Sequence, residues 1–124
     1  MQSFEKTGNI LPLLHEIRHA LERLLSGEDS TVIDLQGLPF APMERDELKG
    51  ILGAGEVFAE LRALGRSTFQ ETAISGVWWI EHYNTGDQII ARSIEICRIP
   101  ALIMAQNADI QMGLQQLSEQ LSNS

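Results

Sequence analysis

Residues 15–19 read His-Glu-Ile-Arg-His, the H-E-x-x-H spacing of zinc peptidases. On a helix that spacing sets His15 and His19 one turn apart on one face, with Glu16 beside them as a general base. A wheel advancing ~100° per residue tests the idea. Its apolar face centres near Ile10, Ile17 and Leu21, and His15 and His19 fall almost opposite, with Glu16 also off that face. The pair is therefore expected to face solvent or a partner, away from any cleft floored by the core. A catalytic zinc also needs a third protein ligand. His82 is the only other histidine, and no second pair follows. Two solvated histidines, no cofactor and no stoichiometric metal are the expectation. The alternative is a metal-binding protein or a zinc-dependent hydrolase built on His15, Glu16 and His19.

Other side chains with chemical potential are weaker candidates. Trp78 and Trp79 are neighbours in "VWWIEHY". On a strand they point to opposite faces, so one enters the core and the other needs a loop, a subunit or a bound partner to cover it. Cys97, in "IEICRI", has no Cys-x-x-Cys mate and reads as a small buried hydrophobe. Glu56, Glu60, Glu71, Glu81 and Glu95 spread over the middle of the chain and read as a solvated acidic face. "LGAGEV" carries its glycines after a helix, which is not the strand-to-helix setting of a phosphate loop. "ISGV" is no nucleophile elbow. No catalytic residue is assigned.

The elements that must position these groups follow from periodicity. Leu13, Leu14, Ile17, Leu21, Leu24 and Leu25 recur at helical spacing, with Asn9 as N-cap, Pro12 in the first turn and Gly27 as the stop. A short apolar strand follows at 30–35, then a helix opened by Pro42 over 42–52, with Glu44, Asp46 and Glu47 in its first turns. Strands are expected over 56–64, 67–74, 77–83 and 88–99, the last two joined by the turn sequence "NTGD". A last helix over 107–121 places Ile110, Leu114, Leu117 and Leu121 on one face. The order α-β-α-β-β-β-β-α predicts an α+β fold: a mostly antiparallel sheet of about five strands with three helices packed on it. The first strand, set apart by a helix, is free to pair in parallel and make the sheet mixed.

The chain has 124 residues, 44% of them apolar, enough for one domain over 1–124 with loose ends at 1–8 and 122–124. Nine basic against 17 acidic residues give a net charge of −8, which argues against nucleic acid. One cysteine, no bilayer-length apolar run and no signal-peptide pattern predict a cytoplasmic protein without membrane insertion.

Four blocks, "LLHEIRHALERLL", "TVIDLQGLPFAPMERDELKGILGAGEV", "ETAISGVWWIEHYN" and "IEICRIPALI", occur in that order. Together they closely resemble the C-terminal conserved region of the HupH/HyaF proteins, over about residues 10–121. The resemblance implies an accessory role in maturing a nickel–iron uptake hydrogenase, as a chaperone-like, non-catalytic binder of a hydrogenase subunit precursor, the iron–sulfur small subunit favoured. Other maturation proteins are further candidate partners, and a homodimer is admitted. It offers no catalytic residue. The positions that carry it, and so the candidate partner-binding residues, are Gly53, Gly55 and Glu56 in "LGAGEV" and Glu71, Gly76, Trp78 and Trp79 in "ETAISGVWW". Family members are usually about twice this length, with an additional N-terminal portion, so this sequence reads as either a single-domain relative or a fragment, and Ala41 stands where a serine would cap the helix better.

Overall fold

The computed structural model describes residues 8–123. Its elements are α1 (Ile10–Leu25), β1 (Thr31–Asp34), α2 (Pro42–Leu52), β2 (Phe58–Ala63), β3 (Gly65–Glu71), β4 (Val77–Tyr83), β5 (Ile89–Ile96), a 3₁₀ turn (Ala101–Ile103) and α3 (Asn107–Ser122). The β4–β5 hairpin is the centre of the sheet. Its turn closes where "NTGD" predicts: Asp87 N–H donates to the carbonyl of Asn84 at 3.0 Å, and Gln88 N–H to Asn84 Oδ1 at 3.0 Å. Asp87, the last residue of the three-residue loop between Asn84 and Gln88, takes the left-handed φ of 63° that follows the turn in such hairpins.

The five strands lie in the order β1-β5-β4-β3-β2, and every neighbouring pair is antiparallel. The α+β architecture and element order agree with the expectation. The option of a parallel β1 does not: Thr31–Asp34 runs against β5, with Ile33 opposite Ile94. The reversal lets Ile33 join Ile94 and Ile96 in one apolar cluster under the helices.

α1 and α2 cover the same face. Ile10, Leu13, Ile17 and Ala20 of α1, and Leu48 and Leu52 of α2, pack on Ile33, Val77, Trp79, Ile94 and Ile96. α1 stops where Gly27 predicts, in the paired 6→1 and 5→2 bonds of a Schellman end: Glu28 N–H to Arg23 O at 3.0 Å and Gly27 N–H to Leu24 O at 3.2 Å. Its start differs. Asn9 has helical dihedrals and makes no side-chain cap. Its Nδ2 donates instead to Pro39 O at 3.2 Å and Glu44 Oε1 at 3.3 Å, tying α1 to the entry of α2. There Ala41 offers no side-chain oxygen, and Glu44 Oε1 accepts the Ala41 N–H at 3.0 Å, half of a capping box.

The opposite face carries a smaller cluster: Phe69, Trp78, Ile80 and Cys97, flanked by Ala59, Leu61 and Ile103. The segment after Pro100 thus covers what the helices do not. The third helix departs from expectation. It spans 107–122, yet none of its residues is buried, so it does not pack on the sheet. Ser122 belongs to it rather than to a loose end, and residues 1–7 and 124 lie outside the described residues.

Candidate functional site

α1 and α2 leave part of their own face of the sheet open. Beside α2 lies a groove of about 470 Å³, with Asp46 and Lys49 on the helix side and Phe58, Gln70, Trp79 and Glu81 on the strand side. Residues of β2, β3 and β4 meet there because the register places Phe58 opposite Gln70, Gln70 opposite Trp79, and Thr68 opposite Glu81.

The groove's closed end is made by the two segments of the family resemblance. The loop after α2 lies on the end of β3: Gly55 N–H donates to Glu71 O at 2.7 Å, Glu71 N–H to Val57 O at 2.9 Å, and Ala73 N–H to Leu52 O at 2.9 Å. Gln70 Nε2 adds bonds to Gly55 O at 3.3 Å and Glu71 O at 2.8 Å. A Cβ on Gly55 would run into the carbonyl oxygen of Thr72, so only glycine allows this approach. Below it, the Thr72 hydroxyl donates to Val77 O at 2.9 Å and accepts Ile74 N–H at 3.2 Å, holding the 72–77 turn.

The floor is Trp79 and Glu81. Trp79 Nε1 donates to Glu81 Oε2 at 3.2 Å, Tyr83 Oη to Glu81 Oε1 at 3.1 Å, and Arg92 Nε to Glu81 Oε2 at 3.2 Å. Lys49 Nζ stands 5.5 Å from the centre of the Trp79 ring, a cation–π distance. Burial pushes the Glu81 carboxyl up. The Trp79 bond, the Lys49 charge and the Tyr83 and Arg92 bonds outweigh it, so the pKa ends below the usual carboxylate range. A carboxylate held ionised with three donors on it serves binding better than proton transfer.

The candidate residues therefore divide. Gly53, Gly55, Glu71 and Trp79 come together at the groove and its closing loop. Glu56 is exposed on that loop. Gly76 lies elsewhere: at φ 90° it turns the chain under α1, where an added Cβ would stand 3.1 Å from Leu21 Cδ2. It borders a second hollow of about 500 Å³, lined also by Leu24, Leu25, Glu71, Cys97 and Arg98. Of the covers open to the second tryptophan, the chain's own segment after Pro100 is the one found, so neither ring stands exposed for a partner. Trp78 is 4% and Trp79 3% exposed, the first within the small cluster and the second under α2. Among the described residues nothing accepts the buried Nε1–H of Trp78.

His15, Glu16 and His19 are exposed on α1, as the wheel places them. His19 Nε2 sits 3.4 Å from Arg18 Nη2, and among the described residues no three His, Cys, Asp or Glu side chains are grouped to hold a metal. His82 is remote from that pair in the sheet, with Nδ1 2.6 Å from Ser67 Oγ. Cys97 is buried, and burial, then the charge of Glu95 and its hydrogen bond, push its thiol up to about 12.

The groove residues missed from sequence are Lys49, Phe58, Gln70 and above all Glu81, read as part of a solvated acidic face. One signal for Glu81 was available: Trp79, Glu81 and Tyr83 alternate along one strand and must share a face. Among the described residues no helix is long and apolar enough to cross a membrane.

Comparison with known proteins identifies the lineage. The family model described as the HupH hydrogenase expression protein, C-terminal conserved region, matches residues 8–123. The hydrogenase expression/formation protein HupH of Rhizobium leguminosarum bv. viciae is 33% identical over 101 residues, 82% of this chain and 36% of that protein. HoxQ of Azotobacter vinelandii, named likewise, is 31% identical over 113 residues, 90% of this chain and 40% of that one. The hydrogenase-1 operon protein HyaF of Escherichia coli K12 is 30% identical over 111 residues, 90% of this chain and 38% of that one. The chain thus spans 36% to 40% of the length of these curated relatives. The solved structure of the hydrogenase expression protein HupH from Thiobacillus denitrificans matches with a TM-score of 0.91 at 37% identity, over 95% of this chain and 98% of that one. The chain belongs to the family of the HupH C-terminal conserved region.

Proposed function

We propose that this chain serves the formation of a hydrogenase as a non-catalytic binding domain. It holds an immature hydrogenase subunit, the iron–sulfur small subunit first among the candidates, before assembly is complete. One observation carries this reading: the loop Gly53–Glu56 and the strand end at Glu71 close a single groove whose floor is Trp79 and whose rim is Phe58, 57% exposed. An exposed aromatic beside a lysine and a hydrogen-bonded glutamate is the form a protein-recognition patch takes. The pathway comes from the family, whose relatives are named hydrogenase expression/formation proteins. A contribution from the further length of those relatives is part of the proposal, as is a place for the complex before export.

The test is co-purification of tagged protein from cells making a hydrogenase, with the small and large subunits detected by immunoblot. Phe58→Asp and Lys49→Glu each change an exposed side chain of the rim, the second also removing the cation over the Trp79 ring, and both should lose the captured subunit while circular dichroism stays unchanged. Undiminished capture by both variants would remove the groove from the reading. Capture of the large subunit alone would change the client.

A further inference from the structure

We infer that α3 is the contact through which two copies of this chain pair. The helix turns Ile110, Leu114, Leu117 and Leu121 outward at 56%, 67%, 55% and 69% exposure. Their alternating spacing of four, three and four residues is the d-a-d-a run of a two-helix seam. A helix of this length is marginal alone in water, so its apolar stripe needs a cover that its own sheet does not supply.

The occupant that fits is a second copy. The protein carries a net charge of −8, and two copies repel over most of their surface. The positions flanking the stripe are the exception: Gln111, Gly113, Ser118 and Gln120 are all uncharged, and the helix's two acids, Asp109 and Glu119, stand away from the seam. A stripe made for a basic partner would be rimmed with carboxylates. A neutral rim lets the same surface meet itself about a two-fold axis, with no like charges opposed.

Gly113 points the same way. Glycine is a poor choice inside a helix, and nothing in this chain lies within 4 Å of where its Cβ would stand. The fold has no need of it, whereas a second helix approaching that flank gains room. The area suits a weak contact. Four side chains at on the order of 100 Å² each give a stripe of roughly 400 Å². Leu102 and Met104, exposed just before α3, bring the apolar surface to roughly 600 Å², below the ~800 Å² per partner of an ordinary stable interface and in the range of a weak one. A reversible dimer follows.

Sedimentation equilibrium over roughly 1–200 µM protein tests this. The unaltered chain should pass from monomer to dimer in that range. Leu114→Glu/Leu117→Glu should weaken pairing by about a hundredfold or more, into an all-monomer profile. Met112→Glu, exposed but off the seam, should pair as before. Should the charged variant lose helical circular dichroism, Leu114→Ala/Leu117→Ala keeps helix propensity and must still weaken pairing. An unaltered chain that stays monomeric overturns the proposal and leaves the stripe to a different protein. A dimer that survives the double substitutions places the contact elsewhere and overturns it equally.

Discussion

The Nε1–H of Trp79 donates to Oε2 of Glu81, two residues along the same strand, at 3.2 Å. That bond joins the floor of the groove to a carboxylate whose pKa is held down. Glu81 also takes Tyr83 and Arg92, so removing it strands three donors, one of them on a 3%-exposed tryptophan. Glu81→Ala should destabilise the fold by about 2–3 kcal/mol in urea titration. Its pH dependence has a definite sign. The folded pKa lies below the unfolded value, ~4.3 for a glutamate, so the stabilisation is present above that value and lost as pH falls through the folded one. The stability gap between the unaltered chain and Glu81→Gln should therefore be wide at pH 7 and close toward pH 3. A gap that persists unchanged into acid would show that the charge of Glu81 contributes nothing.

Gly55 carries the closing loop on its missing side chain. Gly55→Ala would set a Cβ against the Thr72 and Glu71 carbonyl oxygens, both backbone atoms that cannot swing away. The loop must lift, and the Gly55–Glu71 bond at 2.7 Å is the first to go. A loss of about 2 kcal/mol or more is expected, together with faster amide exchange at Gly55 and Ala73. Gly50→Ala, where an added Cβ meets nothing, is the control and should be neutral or stabilising. Equal stabilities for the two variants would mean the loop is not held as described.

Sequence periodicity carried much of this fold and little of its site, for physical reasons. α1 and α2 were legible because each has a one-sided apolar pattern bounded by a strong local signal, Gly27 or Pro42, and β4 because a short apolar run leads into the 84–87 turn. The direction of β1 was not, because pairing with β5 is a contact across some sixty residues that no local pattern encodes. α3 misled, since its stripe looks like any core-facing helix and only tertiary structure shows that nothing covers it. The cover of the second tryptophan stayed open for a related reason. Opposite faces were correctly expected, but the cover given to Trp78 by Leu61, Ile103 and Cys97 comes from residues distant in sequence. Glu81 was missed because burial of a carboxylate depends on donors from two strands at once.

The histidine pair supplies a prediction that separates pattern from chemistry. His15 and His19 are exposed, and among the described residues neither belongs to a three-residue donor group. His15→Ala/His19→Ala should change stability by less than about 0.5 kcal/mol and leave capture of a hydrogenase subunit intact. Thermal unfolding with and without zinc or nickel at tens of micromolar is the direct check. A rise in Tm with metal, absent from the double variant, would restore the metal-carrier reading.

Glu95 behaves oppositely to Glu81, and the contrast can be measured in one protein. It stands opposite Trp78 across the β4–β5 pair, where burial raises its pKa, offset in part by hydrogen bonds from Cys97 and the Ala101 backbone. A raised folded pKa contributes stability that is complete below the unfolded value of ~4.3 and is lost as pH rises through the folded one. At pH 7 the ionised group therefore costs the fold something, and Glu95→Gln should raise Tm there, with the gain fading toward pH 4. The same substitution has a second readout. The Glu95 charge and hydrogen bond help hold the Cys97 thiol at about 12, which leaves on the order of one thiolate in ten thousand at pH 8. Removing the charge should lower that pKa and speed native-state labelling by a disulfide reagent. Faster labelling with unchanged unfolding kinetics would assign the effect to the carboxylate. Labelling that tracks global unfolding in both proteins would mean that burial alone keeps Cys97 silent.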